Sequence, residues 1–164
     1  LNRRLREVIS REESFEFITA FYLVIDTADG RVTYSTAGHH SPLVIESAQA
    51  QARMLFDRET FKGPALMLMA DPEFSTGEDQ LDPGDRLLLF TDGLTEMPAA
   101  PGSDKDLGLE GLIPLLGEAP SGGLANLVSG TASAVLERSR ATAFHDDLCL
   151  IGIEFRKSLP SQGG

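Results

Sequence analysis

Asp29-Gly30 stands between two β-branched and aromatic runs, Phe15 to Asp26 and Arg31 to Ala37. An Asp-Gly step accepts the positive φ that a tight reversal demands, so these runs are expected to fold back on each other as antiparallel strands. Gly38-His-His-Ser-Pro42 then breaks the second strand, Leu43 to Glu46 supplies a third, and Arg53 to Phe56 supplies a fourth after a polar turn. The first half therefore reads as an antiparallel meander. Ahead of it, Leu1, Leu5, Val8 and Ile9 fall on one helical face with Arg3, Arg4, Arg6 and Arg11 elsewhere, the pattern of an amphipathic helix.

The second half is punctuated differently. Asp82-Pro-Gly-Asp85 is a turn by composition, and it feeds Arg86-Leu-Leu-Leu-Phe90, whose apolar density predicts a buried strand. Two helices are expected next. The first carries Leu109, Leu112, Ile113 and Leu116 and, because Pro114 damages a helix interior, should start late, near Gly111. The second runs from about Ser121 through Leu124, Leu127, Val128, Thr131 and Val135. Leu148 to Phe155 is apolar on both faces apart from Glu154, which predicts a central strand. Met97 to Asp106 is rich in Pro, Ala, Gly and charge and reads as a mobile loop, and residues 157–164 read as a frayed tail.

At 164 residues and 41 % hydrophobic content the chain suits a single domain with one core. Its 14 Lys and Arg against 25 Asp and Glu give a net charge of −11, so it lacks the positive field that phosphate backbones require and nucleic acid is not an expected partner. Cys149 is the only cysteine, which excludes an internal disulfide and a cysteine zinc site and fits a reducing, cytoplasmic compartment. No apolar run approaches the roughly 20 residues of a membrane helix. The chain opens at Leu1, already inside a helical pattern, and reads as a piece cut from something longer.

Chemistry concentrates in two places. In Leu87-Leu-Leu-Phe-Thr-Asp92-Gly93-Leu-Thr-Glu96, an acidic residue leaves a buried strand and is followed by Gly, which lets the backbone turn sharply and presents a carboxylate at the sheet rim. In Phe144-His145-Asp146-Asp147-Leu-Cys-Leu-Ile, two carboxylates directly precede a strand. Each alone is compatible with a plain solvated turn. Together, on neighbouring strands, they would converge, and converging carboxylates repel unless a cation lies between them; oxygen-only donors suit Mg²⁺ or Mn²⁺. His39, His40 and His145 admit a ligand or proton-shuttle role, or plain hydrogen bonding to turn backbone. Cys149, Leu66, Met67 and Met69 read as core.

The order Leu1-Asn-Arg-Arg-Leu5, Phe17-Ile-Thr-Ala-Phe-Tyr22, Ala37-Gly-His-His-Ser-Pro42, Pro83-Gly-Asp85, Leu89-Phe-Thr-Asp92-Gly-Leu-Thr-Glu96 and Asp146-Asp147 before a final strand resembles the SpoIIE/RsbU branch of the PPM metal-dependent serine/threonine phosphatases. The resemblance implies an α+β fold, an antiparallel β-sandwich flanked by helices. It also implies hydrolysis of phosphoserine or phosphothreonine by water activated between two Mn²⁺ or Mg²⁺ ions. By the same resemblance Asp92 and Asp146 are the catalytic metal ligands, and the implied partner is a phosphorylated regulatory protein of the anti-sigma-factor antagonist type.

Three departures accompany it. The family's N-terminal stretches of Gly-Asp-Tyr-Tyr-Asp and Gly-Asp-Val-x-Gly type are absent, so residues 1–156 are expected to be the C-terminal two-thirds of such a domain, weakly active or inactive alone. Cys149 stands where the family tends to have Thr, and Gly63-Pro-Ala-Leu-Met-Leu68 lacks a second Gly of a Gly-x-Pro-Leu-Gly turn. The alternative these departures leave open is a non-catalytic interaction module of the same fold. A domain lacking strands also exposes a sheet edge, through which a homodimer is expected.

Overall fold

The β-branched runs pair as their alternation requires, but not in one sheet. The computed structural model describes residues 1–9, 17–49, 51–57, 61, 63–117 and 122–157. The elements in chain order are α1 (Asn2–Ile9), β1 (Ala20–Ile25), β2 (Arg31–Ala37), β3 (Leu43–Glu46), β4 (Gln51–Met54), β5 (Gly77–Gln80), β6 (Arg86–Phe90), α2 (Gly108–Gly117), α3 (Leu124–Ser139) and β7 (Leu150–Glu154), with a 3-10 turn at Asp92–Leu94. One sheet has the order β1-β2-β5 and the other β4-β3-β6-β7, and every pairing is antiparallel. They belong to two compact units, Leu1–Ser41 with Phe56–Leu81, and Pro42–Leu55 with Asp82–Gly164.

In the first unit β1 and β2 form the expected hairpin, Ile25 opposite Val32, with Gly30 at φ +84° and its N–H bonded to the Asp26 carbonyl at 2.8 Å. The meander expected from sequence ends there. Gly38, at φ +72°, redirects the chain and donates its N–H to the Gly63 carbonyl at 2.7 Å, so β2 takes β5 as its other neighbour instead of β3. β5, Gly-Glu-Asp-Gln, was not foreseen because it has no apolar face to alternate. Phe21, Tyr34, Phe56 and Phe61 stack in this unit with ring centroids 5.0 to 6.0 Å apart, a spacing that adds attraction to the area buried.

The absent second Gly has a structural counterpart here. Met67 takes a left-handed φ of +71°, a conformation that costs a residue with a Cβ about 1–2 kcal/mol. It is held by α1: Asn2 Oδ1 accepts the Met67 N–H at 2.6 Å, and Arg6 Nη1 donates to the Met67 carbonyl at 3.0 Å. The turn that results buries Leu66 but leaves Met69 half exposed, so the expectation of a core methionine fails at Met69.

The second unit holds the larger apolar cluster, in which Leu43, Leu88, Phe90, Leu94, Met97, Leu112, Leu127 and Val135 are buried. β6 occupies the expected Arg86–Phe90 and β3 the expected Leu43–Glu46, while β4 lies two residues earlier than its apolar residues suggested, because its pairing with β3 runs from Gln51 to Met54 and Leu55 is buried beyond the strand. Asp85 closes the turn before β6, its N–H on the Asp82 carbonyl at 2.9 Å and its carboxylate accepting the N–H groups of Ser47 and Asp82.

Five further expectations are corrected in this unit. α2 starts at Gly108 and carries Pro114 inside it; Pro114 has no N–H to offer the Glu110 carbonyl, and both residues are exposed, where a missing helix bond costs least. β7 is an edge strand of its sheet: one face receives α3, with the Gly152 Cα within close reach of Leu124 and Val128, while Ile151 is half exposed. Met97 to Asp106 is a stapled excursion, bridged by Ala99 N–H to the Lys105 carbonyl at 2.9 Å and Leu107 N–H to the Met97 carbonyl at 2.7 Å over a fully buried Met97. Cys149 is exposed, because the segment before β7 runs along the rim and has not yet entered the core. α3 starts at Leu124 rather than near Ser121, because Gly123 ahead of it is extended and caps the helix. The tail beyond Lys157 lies outside the described residues.

Candidate metal site

The pairing of β6 with β7 decides where the two acidic motifs lie. Phe90 is opposite Leu150, so the chain leaving β6 at Thr91 and the chain entering β7 from Asp147 are side by side. Beyond the ladder, Thr91 N–H donates to the Cys149 carbonyl at 3.1 Å. The Thr91 hydroxyl donates to the Asp147 carbonyl at 3.0 Å and accepts the Cys149 N–H at 2.9 Å. Asp92 then opens the 3-10 turn, its carbonyl accepting the N–H groups of Thr95 and Glu96 at 2.8 and 2.9 Å.

Gly93 is buried against the opposite turn. A Cβ on it would sit 2.7 Å from the Asp147 carbonyl oxygen and 3.2 Å from that of Asp146. Only glycine permits this approach, and the approach is what sets the two aspartate turns in contact. The sequence pattern marks Gly93 for its turn but leaves Thr91 without a role; the signal for both is their place on either side of Asp92.

Asp92, Asp146 and Asp147 are exposed. Asp92 Oδ1 accepts the Gly93 N–H at 3.2 Å and Asp146 Oδ1 accepts the Asp147 N–H at 2.7 Å, local bonds that restrict how each carboxylate can turn. The donors offered at this rim are carboxylate oxygens, which suit a hard divalent cation; Mg²⁺ in particular commonly takes one or two protein carboxylates and completes its shell with water and phosphate oxygens. Among the described residues no group of three or more His, Cys, Asp and Glu side chains gathers to hold a metal.

His39 and His40 belong to the first unit, their rings 5.0 Å apart, with the His39 carbonyl accepting the Thr36 hydroxyl at 2.9 Å. His145 is exposed, next to Asp146. Farther along β7, Glu154 is flanked by two arginines: Arg156 Nε donates to it at 2.6 Å and Arg86 Nε lies 3.3 Å from its other oxygen. The hydrogen bond from Arg156, with the charges of both arginines, holds the Glu154 carboxyl below the usual carboxylate range against the opposing effect of burial.

The family model for Stage II sporulation protein E (SpoIIE) matches residues 1–156. The chain belongs to the SpoIIE family. Among curated proteins, this SpoIIE-family chain is 27 % identical over 157 residues to phosphoserine phosphatase RsbP of Bacillus subtilis, covering 95 % of the chain and 36 % of RsbP. It is 34 % identical over 80 residues to protein IcfG of a Synechocystis species, 49 % of the chain and 12 % of IcfG, so the chain spans about a third or less of these relatives.

Among solved structures, the RsbU and RsbW domains of Rv1364c from Mycobacterium tuberculosis superpose with a TM-score of 0.73 at 27 % identity, over 97 % of the chain and 41 % of that one. The SpoIIE phosphatase domain of B. subtilis superposes with a TM-score of 0.67 at 14 % identity, over 96 % of the chain and 66 % of that one, which shows the fold. The chain is thus placed in the SpoIIE/RsbU branch of the PPM phosphatases, with the α+β fold expected from its motifs.

Proposed function

We propose that the protein carrying this chain is a metal-dependent serine/threonine protein phosphatase in which Asp92 and Asp146 hold the reactive cation. The observation that supports it is the contact of the two turns, made by the hydrogen bonds of Thr91 and the close approach of Gly93. It gives two carboxylate-bearing turns of an acidic chain one shared rim. Family membership and the name of RsbP point the same way.

The fit to Mn²⁺ or Mg²⁺ rests on donor chemistry: exposed carboxylates on adjoining turns, each already oriented by a bond to its neighbour's amide. A divalent cation there, when bound, supplies acidification of an attacking water and shielding of the phosphoryl oxygens. The residues of the chain do the rest. Asp92 and Asp146 fix the position of that charge, and the turn amides hold the carboxylates in place so that little reorganisation accompanies catalysis. Direct attack by water on the phosphorus is the reaction that matches a site built on carboxylate ligands.

The substrate we assign is phosphoserine or phosphothreonine on a regulatory protein of the anti-sigma-factor antagonist type, reached in the cytoplasm. Among the described residues no helix is long and apolar enough to cross a membrane. β1 ends its sheet with Ala-Phe-Tyr-Leu-Val-Ile, free of charge and proline, and a second copy pairing there is the interaction we assign to that edge.

A non-catalytic module of the same fold is the second reading, and the absence of a third ligating side chain among the described residues favours it. Manganese titration of the protein at its full natural length separates the two. The phosphatase reading expects saturable binding that Asp92→Asn and Asp146→Asn each weaken, and phosphoserine-peptide hydrolysis that a chelator stops and Mn²⁺ restores. A module without catalysis gives no carboxylate-dependent binding and no hydrolysis.

A further inference from the structure

Thr91 bonds the opposite turn with both its amide and its hydroxyl. Its amide donates to the Cys149 carbonyl at 3.1 Å, and its hydroxyl both donates to the Asp147 carbonyl at 3.0 Å and accepts the Cys149 N–H at 2.9 Å. The next residue on one side of this rung is Asp92, and the residue before the accepting carbonyl on the other is Asp146. The Thr91 hydroxyl, beside the amide bond, therefore ties the two aspartate-bearing segments together just beyond the end of the β6–β7 ladder.

We propose that Thr91 is a positioning residue for the cation site, acting through its hydroxyl to fix the separation of Asp92 and Asp146. The proposal rests on the reading of those two aspartates as cation ligands. Two features distinguish this role from a simple packing role. Both hydroxyl bonds are at an exposed location, so water can satisfy the Cys149 amide and the Asp147 carbonyl once the hydroxyl is gone, and the fold keeps most of its stability. Water cannot, however, transmit a fixed distance from one backbone to the other. What is lost is the alignment of two ligands, and ligand-orienting groups of this kind typically change metal affinity by about 10–100-fold when removed.

The hydroxyl and the shape can be separated, because Val reproduces the outline of Thr without its oxygen and Ser keeps the oxygen without the methyl. The test is calorimetric Mn²⁺ titration of the full-length protein as wild type, Thr91→Val, Thr91→Ser, Thr91→Ala and Asp92→Asn, each with its Tm, and amide exchange at Cys149 in metal-free protein. The expected result is an Mn²⁺ dissociation constant raised about tenfold or more in Thr91→Val, within about threefold of wild type in Thr91→Ser, with Tm lowered by only about 2–4 °C. Exchange at the Cys149 amide should be faster in Thr91→Val than in wild type and near wild type in Thr91→Ser.

If Thr91→Val does not fold, Thr91→Ala against Thr91→Ser reads the same contrast. Unchanged Mn²⁺ affinity in Thr91→Val alongside weakened binding in Asp92→Asn overturns the role of Thr91 and leaves the cation site standing. Unchanged binding in Asp92→Asn, or no binding in wild type, overturns the cation site and the role of Thr91 with it. Equal losses in Thr91→Val and Thr91→Ser overturn the hydroxyl as the cause.

Discussion

Gly93 packs so tightly on the Asp147 carbonyl that a Cβ at position 93 would lie 2.7 Å from its oxygen. The neighbour is backbone, which has no rotamer to yield, so Gly93→Ala must push the two turns apart. Overpacking of this kind costs about 1–3 kcal/mol, which urea denaturation reads directly. The account also expects Gly93→Ala to weaken Mn²⁺ binding by more than its loss of stability explains, since the displaced turns carry Asp92 and Asp146.

Met67 offers the opposite experiment. It holds φ +71° with a Cβ, under the grip of Asn2 and Arg6. Met67→Gly removes about 1–2 kcal/mol of left-handed strain but adds chain entropy to the unfolded state, about 0.5–1 kcal/mol. The difference should leave Met67→Gly as stable as wild type or slightly more so, while Asn2→Ala, which strips the Met67 N–H of its 2.6 Å acceptor, should lower the Tm. A Tm that drops in Met67→Gly would mean the methionine side chain contributes packing that outweighs the strain.

Acid should reveal Glu154. Its carboxyl is held low by the hydrogen bond from Arg156 and by the charges of Arg156 and Arg86, so the ionised form is favoured in the folded chain over the unfolded one. A depressed carboxylate stabilises the fold fully above its unfolded pKa, and that contribution drains away as pH falls through the folded value. The stability difference between wild type and Glu154→Gln should therefore be constant from pH 7 to pH 6 and shrink on acidification below the usual carboxylate range. Added salt should reduce it as well, because Arg156 is largely exposed.

Leu88, fully buried among Leu43, Leu112 and their neighbours, measures the core that carries the site. Leu88→Ala should cost about 2–5 kcal/mol, the range for a leucine truncated to a cavity, in equilibrium unfolding.

Much of the site was legible because its parts are local. Asp92-Gly93 at the exit of an apolar pentapeptide, and Asp146-Asp147 at the entrance of another, announce rim carboxylates through chain order alone. Their contact was not legible, since it depends on β6 taking β7 as its neighbour, a pairing between residues about sixty positions apart that no local pattern encodes. The same limit separates what was read well in the fold from what was not. β2, β3 and β6 were bounded by turn residues and came out where alternation put them. β5 has no apolar face and left no signal, and the meander failed at Gly38, whose positive φ sends the chain away from a β2–β3 pairing. Cys149 was misread because its apolar neighbours belong to the strand, while the residue itself lies on the rim before it.

Phosphate release from a phosphoserine peptide by the full-length protein in Mn²⁺, compared between wild type and Asp92→Asn, tests the central claim most directly. The account predicts chelator-sensitive turnover in wild type and a loss of about a hundredfold or more in Asp92→Asn with the fold intact, the scale of several kcal/mol of lost charge stabilisation. Turnover by Asp92→Asn equal to that of wild type would contradict it.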